Sequence, residues 1–276
     1  STSAWLEAGV DVYVADLAAG TQRADDEFTV DMDTTVGVYF ESSRGSYSYA
    51  GDDGVNIVMV GLAALAEGGV YVGGSDDGEF LAVKMEANAV VRPDADAINA
   101  KLQVVDDLIQ IDLGGVDADS IDQNKLQHVY VDAGISGKVY GEFAATGFGR
   151  GVELDVRGID ADSTFDGISL KDSAVALNID AGLYVEGDIT STIGDDGIYI
   201  YATGVNVDAD VGVLTESVTS FVDIETTIKS WDGGYIDVGD DLIELEMTRS
   251  SNRAGIYLHG DYSINAKDLD STVNVD

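Results

Sequence analysis

The sequence contains no cysteine, which excludes both a disulfide framework and a thiolate metal site. A single proline, Pro93, stands among 276 residues, so strand ladders can run almost free of the residue that cannot donate to them. Histidine is limited to His128 and His259, too few for a multi-histidine zinc site and without an H-E-x-x-H spacing. Tryptophan is limited to Trp5 and Trp231, so the ring platforms of a sugar cleft would fall to the thirteen tyrosines. Those residues, Tyr199 and Tyr201 among them, read first as strand packing. The longest apolar stretch, near Val55 to Leu65, is too short and too interrupted by glycine for a membrane-spanning helix.

Basic side chains are also scarce, 14 against 52 acidic ones, leaving a formal charge of −38. A phosphate backbone would be repelled along most of such a surface, which argues against a nucleic-acid partner. The same imbalance makes a compact state repel itself unless cations screen or bind the carboxylates, so a saline or calcium-containing medium is expected. Hydrophobic residues make up 45% of the chain, enough apolar surface for it to fold despite the charge. The first residue is Ser1, with neither methionine nor a basic-then-apolar leader after it. A mature product secreted by a prokaryote, extracellular or at the cell surface, is therefore expected.

What is present is alternation. In the run from Asp195 to Asp210, Ile198, Ile200 and Ala202 alternate with more exposed residues, Gly204 breaks the run, and a second alternating run ends in aspartates. Related runs begin at Val55, Ile109, Val152 and Ile243, so the spacing from Ile109 onward is 43, 46 and 45 residues, with 54 before it. A repeat of roughly 45 residues follows, with an insertion in the first unit. The expected fold is all-β, a repeat-built β-sandwich or a set of β-solenoid-like sheets with few or no helices. One elongated domain over 1–276 is expected, with 1–50 a candidate N-terminal arm or subdomain and 51–276 the repeat region. Within 52–92 the Asp-Gly turns predict a hairpin, because they supply the positive φ of tight strand connections. Leu214, Val218, Phe221 and Ile228 would share a face of a helix, whereas the threonines and valines around them favour a strand.

Six Asp-Asp pairs occur, at 25–26, 52–53, 76–77, 106–107, 195–196 and 240–241, and three of them run into glycine. Calcium needs several oxygen ligands on a backbone that turns sharply, which makes Asp52, Asp53, Asp76, Asp77, Asp195, Asp196, Asp240 and Asp241 the candidate ligands. Neither the helix-loop-helix calcium pattern nor the glycine-rich nonapeptide is present. The plainer explanation is that these aspartates cap and bend solvated turns. No G-x-S-x-G elbow, P-loop or G-x-G-x-x-G is found, and Gly147-Phe148-Gly149-Arg150-Gly151 has the wrong spacing. No catalytic residue is assigned. With so many acids, a carboxylate pair at a glycosidase distance carries no signal.

The openings Gly51-Asp52-Asp53-Gly54-Val55-Asn56-Ile57 and Gly194-Asp195-Asp196-Gly197-Ile198-Tyr199-Ile200 resemble glycine-acid-glycine motifs that begin repeat units in uncharacterised secreted proteins of Gram-negative bacteria. Those proteins are described as pilus-system or filament proteins. The resemblance implies a surface or filament role and no catalytic residues. The expected function is a secreted structural subunit whose sheet edges add strands from copies of itself, a homo-polymer. Val10, Val12 and Val14 near one end and Val273 and Val275 near the other are the candidate subunit contacts. An outer-membrane β-barrel and a carbohydrate-active β-helix enzyme are the alternatives.

Overall fold

Strands that alternate with a period of two lie beside partners 41 residues away (Lys101 beside Glu142) to 54 away (Asn56 beside Gln110). The computed structural model describes residues 4–6, 10–15, 28–40, 47–66, 71–72, 80–93, 100–120, 124–187, 189–247, 256–260 and 263–276. Among these the chain winds through six successive rungs, each contributing strands to three sheets. The first rung holds β1 (Ala4–Leu6), β2 (Val10–Ala15) and β3 (Phe28–Phe40). The second holds β4 (Tyr47–Ala50), β5 (Val55–Ala66), β6 (Tyr71–Val72) and β7 (Leu81–Pro93). The third holds β8 (Lys101–Val104), β9 (Ile109–Ser120), β10 (Asn124–Gln127) and β11 (Val129–Tyr140). The fourth holds β12 (Glu142–Ala145), β13 (Val152–Ser163) and β14 (Ile168–Glu186). The fifth holds β15 (Thr190–Ile193), β16 (Ile198–Ala209) and β17 (Gly212–Trp231). The sixth holds β18 (Tyr235–Val238), β19 (Ile243–Met247), β20 (Ile256–Gly260) and β21 (Ser263–Val275).

A short sheet runs β1-β4-β8-β12-β15-β18 and a second runs β2-β5-β9-β13-β16-β19, with β20 also beside β16. The third runs β3-β7-β11-β14-β17-β21, with β10 beside β14 and β6 beside β10. All the pairings between described strands are parallel, and no helix occurs among the described residues. This is an all-β, solenoid-like fold, in which each rung leaves an apolar face that only its neighbours can cover.

The core is a stack of equivalent positions. In the second sheet Val55, Ile57 and Met59 lie under Ile109, Ile111 and Leu113, which lie under Val152, Leu154 and Val156, then Ile198, Ile200 and Ala202. All of these are buried, and burying each large aliphatic side chain contributes roughly 1.5–3 kcal/mol. Alternation slips once per rung, where Gly115 and Val116, or Gly158 and Ile159, are buried consecutively. The strand turns a corner there, and close approach demands glycine. A Cβ on Gly115 would stand 2.3 Å from the carbonyl oxygen of Gly158 and 2.6 Å from Val131.

A second corner stacks in the third sheet. His128, Asp172, Ser217 and Asp268 all have φ between 46° and 54°, and the register places them at one level of four successive rungs. A left-handed residue in each rung bends the long strand at the same point.

One expectation changes in the structure, the hairpin at the Asp-Gly turns. The Asp52-Asp53-Gly54 turn does not close a hairpin: β4 before it belongs to the short sheet and β5 after it to the second. Local turn chemistry cannot distinguish a reversal from a corner that keeps all strands parallel. Gly54 and Gly197 are not at positive φ; they are needed because a Cβ would stand 2.6 and 2.5 Å from the carbonyl oxygens of Leu108 and Leu242 in the next rung. Residues 76–78 lie outside the described residues, but β6 and β7 on either side pair elsewhere, with β10 and with β3 and β11. The segment 214–228, where helix and strand competed, is strand within β17, as its threonines and valines favour: Val218 is buried while Leu214 and Phe221 face solvent.

Candidate functional site

The corner leading from the short sheet into the second sheet repeats in the second to sixth rungs. Extending the register of β5, β9, β13, β16 and β19 back by two residues aligns Asp53, Asp107, Arg150, Asp196 and Asp241 in one column. One residue earlier stand Asp52, Asp106, Gly149, Asp195 and Asp240. Three of the inner aspartates, Asp53, Asp107 and Asp196, are buried, while Asp52, Asp106, Asp240 and Asp241 are exposed.

The buried carboxylates tie one rung to the next. The backbone N–H of Asp107 donates to Oδ1 of Asp53 at 3.1 Å, that of Arg150 to Oδ1 of Asp107 at 2.5 Å, and that of Asp241 to Oδ1 of Asp196 at 3.2 Å. Asn56 adds a bond to the other Asp53 oxygen at 3.1 Å. Arg150 interrupts the acidic column and compensates it. Its Nε lies 3.2 Å from Asp196 Oδ2 and 3.7 Å from Asp195 Oδ2, and its Nη1 lies 2.6 Å from Glu153. Its guanidinium sits 3.9 Å above the ring centre of Tyr199, whose hydroxyl donates to Glu246 at 2.9 Å.

Burial dominates the titration of these acids, because it penalises the charged form. It pushes the Asp53 carboxyl up to about 6, against the hydrogen bond from Asp107. Asp107 is held well above the ordinary carboxylate range, by burial first and then by the nearby charges of Glu153 and Asp106, while the Arg150 N–H bond pulls it down. Asp112, Asp117, Asp160 and Asp162, on the outward side of β9 and β13, are raised as well, again mainly by burial.

Three sets of carboxylates each bring one oxygen per residue within 4.8 Å of the others: Asp52, Asp53 and Asp106; Asp195, Asp196 and Asp240; and Asp196, Asp241 and Glu244. Hard oxygen donors in threes supply part of the six to eight ligands of calcium. Six of the eight sequence-predicted ligands thus come together, and Asp76 and Asp77 lie outside the described residues. Asp106, Asp107, Arg150 and Glu244 are the members that sequence reasoning left out. The repeat spacing carries the signal for the first three: carrying it back two or three residues puts 106, 107 and 150 beside 52, 53, 195 and 196.

The candidate subunit contacts fall at the two ends of the stack. Val10, Val12 and Val14 belong to β2, the outermost strand of the second sheet in the first rung. Val273 and Val275 belong to β21, the outermost strand of the third sheet in the sixth rung. Val273 packs against the core and Val275 is exposed. The two histidines belong to different sheets: His128 lies at the left-handed corner before β11, and His259, in β20, has Nδ1 2.8 Å from Asp208.

No protein-family model matches the chain, and comparison with curated proteins and with solved structures gives no match.

Proposed function

We propose that this chain is a secreted structural protein, a subunit of an extracellular filament or surface layer that assembles by strand-edge pairing between copies of itself. The observation that carries this reading is that Leu242, Ile243 and Leu245 are exposed on the last described rung, although the positions equivalent to Ile243 and Leu245 in the preceding rung are buried. An apolar, unpaired sheet end is an invitation to strand addition, which proteins otherwise cover or charge. The resemblance of the Gly-Asp-Asp-Gly openings to repeat starts in pilus-system proteins points the same way.

The distribution of side chains favours this reading over a membrane barrel. Apolar columns face inward and acids outward, and the strands are parallel, whereas membrane barrels are antiparallel with an apolar exterior. No helix among the described residues is long and apolar enough to cross a membrane. The charge of −38 fits a saline or calcium-rich medium outside the cell, with calcium at the stacked acidic turns neutralising carboxylates that otherwise repel between rungs.

Sedimentation separates the readings. A filament subunit pellets at high speed without detergent, a barrel stays dispersed only with detergent, and a carbohydrate-active enzyme shortens members of a polysaccharide panel. Detergent-dependent solubility or turnover of a polysaccharide would displace the structural reading.

A further inference from the structure

Among the described residues the second sheet ends on β19, and its inward positions differ from those of β5, β9, β13 and β16. Ile198 and Ile200 are 0% and 1% exposed, while Ile243 and Leu245, directly over them, are 39% and 36% exposed. What covers Ile198 and Ile200 is the next rung, and no described strand lies beyond β19. At the other end of the same sheet, Val10, Val12 and Val14 stand in register with Val55, Ile57 and Met59 at an offset of 45 residues. That is the offset at which β19 sits from β16.

We propose that the last described rung of one copy docks on the first of the next, parallel and in register, so that Ile243, Leu245 and Met247 stand opposite positions 10, 12 and 14 of the second copy. This rests on the filament reading and specifies its contact. The occupant is a second copy because the contact continues the rung-to-rung interface that the chain already makes five times between its own six rungs. The periodicity that fits β16 to β19 is the one that fits β2 to β5.

The outward columns agree. Following the register of the third sheet from Asp31 and Asp33 through five rungs leads to Thr272 and Asn274 in β21. At the junction Asp31 and Asp33 therefore meet a hydroxyl and an amide, both hydrogen-bond donors, instead of further acids. The second sheet matches less fully: the same register sets Glu246, which accepts from Tyr199 at 2.9 Å on its own side, opposite residue 13 of the second copy, and sets Glu244 opposite Asp11, an acid pair that needs a cation or a proton at the junction. Because β2 and β19 lie on opposite sides of the stack, the contact is head-to-tail and does not close, and an open polar filament results. With strands about 4.8 Å apart, six rungs give an axial rise per subunit of about 29 Å.

The absence of native cysteine makes the contact testable by cross-linking. In register, residues 13 and 246 of successive copies have Cα atoms about 5 Å apart, within disulfide reach. Full-length Tyr13→Cys and Glu246→Cys, mixed and mildly oxidised, are expected to give covalent heterodimers at least about tenfold over either homodimer, the single allowed pairing. Leu245→Glu, at a position already exposed in the single chain, is expected to keep its circular dichroism and lose at least about tenfold of its sedimentable fraction. Homodimers of either variant as the main product, or an unchanged pellet with Leu245→Glu, would overturn the head-to-tail contact. Pelleted wild-type filaments without the 13–246 cross-link would sink this contact and leave the filament reading standing, whereas a wild-type protein that never pellets would sink both.

Discussion

Arg150 occupies a column of aspartates and reaches along it: its Nε lies 3.2 Å from Oδ2 of Asp196, a carboxylate one rung further on that is 3% exposed. The same arginine gives its backbone N–H to Asp107 one rung back. A single cation thus links three rungs through the most acidic edge of the molecule.

Arg150→Met keeps the apolar stem and removes the charge, leaving Asp196 buried beside Asp195 and Glu153 without compensation. A cost of about 3 kcal/mol in urea unfolding at neutral pH is expected, in the range for breaking a buried pair from one side. Adding Asp196→Asn to that variant is expected to recover about half, because the orphaned charge is then gone. Equal stability of Arg150→Met and wild type would make the arginine a solvated surface group.

Stability should rise as the pH falls. Asp53, Asp107, Asp112, Asp117, Asp160, Asp162, Asp195 and Glu244 are all raised above their ordinary values, while Glu216, beside Lys267, is lowered. An acid whose folded pKa is raised binds more protons folded than unfolded, so acidification between the two values favours the fold. For Asp53 that window runs from the unfolded value of 3.8 up to about 6, and for Asp107 it extends higher. Melting temperature in fixed salt with chelator present, so that no cation holds these carboxylates ionised, is therefore expected to climb from pH 8 to pH 5. Asp107→Asn, which keeps an acceptor for the Arg150 N–H, should weaken that climb, while Asp107→Ala should cost about 1–3 kcal/mol by orphaning a buried donor. A melting temperature that falls steadily over this range would contradict the assignment.

Two adjacent glycines should behave oppositely. A Cβ on Gly114 would meet only the methyls of Val60 at 3.8 Å, ordinary contact, whereas one on Gly115 would stand 2.3 Å from a carbonyl oxygen of the next rung. Gly114→Ala is expected within about 0.5 kcal/mol of wild type or slightly more stable. Gly115→Ala should lose several kcal/mol, about 3 or more, or fail to fold. Thermal melts of the pair decide it, and similar melting temperatures would mean the rungs are not packed at this corner as described.

The strands and the register were legible because both rest on short-range regularities. Ile198, Ile200 and Ala202 alternate within one rung, and the spacings of 43, 46 and 45 between units match the register of β9, β13, β16 and β19. The break in alternation at Gly204 was visible, but its cause was not: at the equivalent Gly158 a carbonyl oxygen of Gly204, 46 residues away, stands 2.4 Å from where a Cβ would be. The direction of the Asp-Gly turns was not legible, since Asp52 and Gly54 look the same whether the chain reverses or turns a corner. Nor was the role of Arg150, whose local setting between two glycines shows nothing of the carboxylates on either side.

Removal of divalent ions at low ionic strength should loosen the fold or the assembly. On the calcium reading proposed above, the three carboxylate sets around Asp53, Asp195 and Asp196 would give up their cation, and like charges between rungs would repel with little salt to screen them. A lower melting temperature or smaller particles in chelator is expected, reversed by added calcium. If both stay unchanged in chelator at low salt, the acidic turns work through their hydrogen bonds alone.

The central claim is that rungs stack as readily between chains as within one. Electron microscopy of the concentrated protein, with diffraction from aligned material, tests it most directly. The account predicts unbranched filaments with a meridional spacing near 4.8 Å and an axial subunit repeat of about 29 Å. Single, dispersed particles at every concentration and calcium level tried would contradict it.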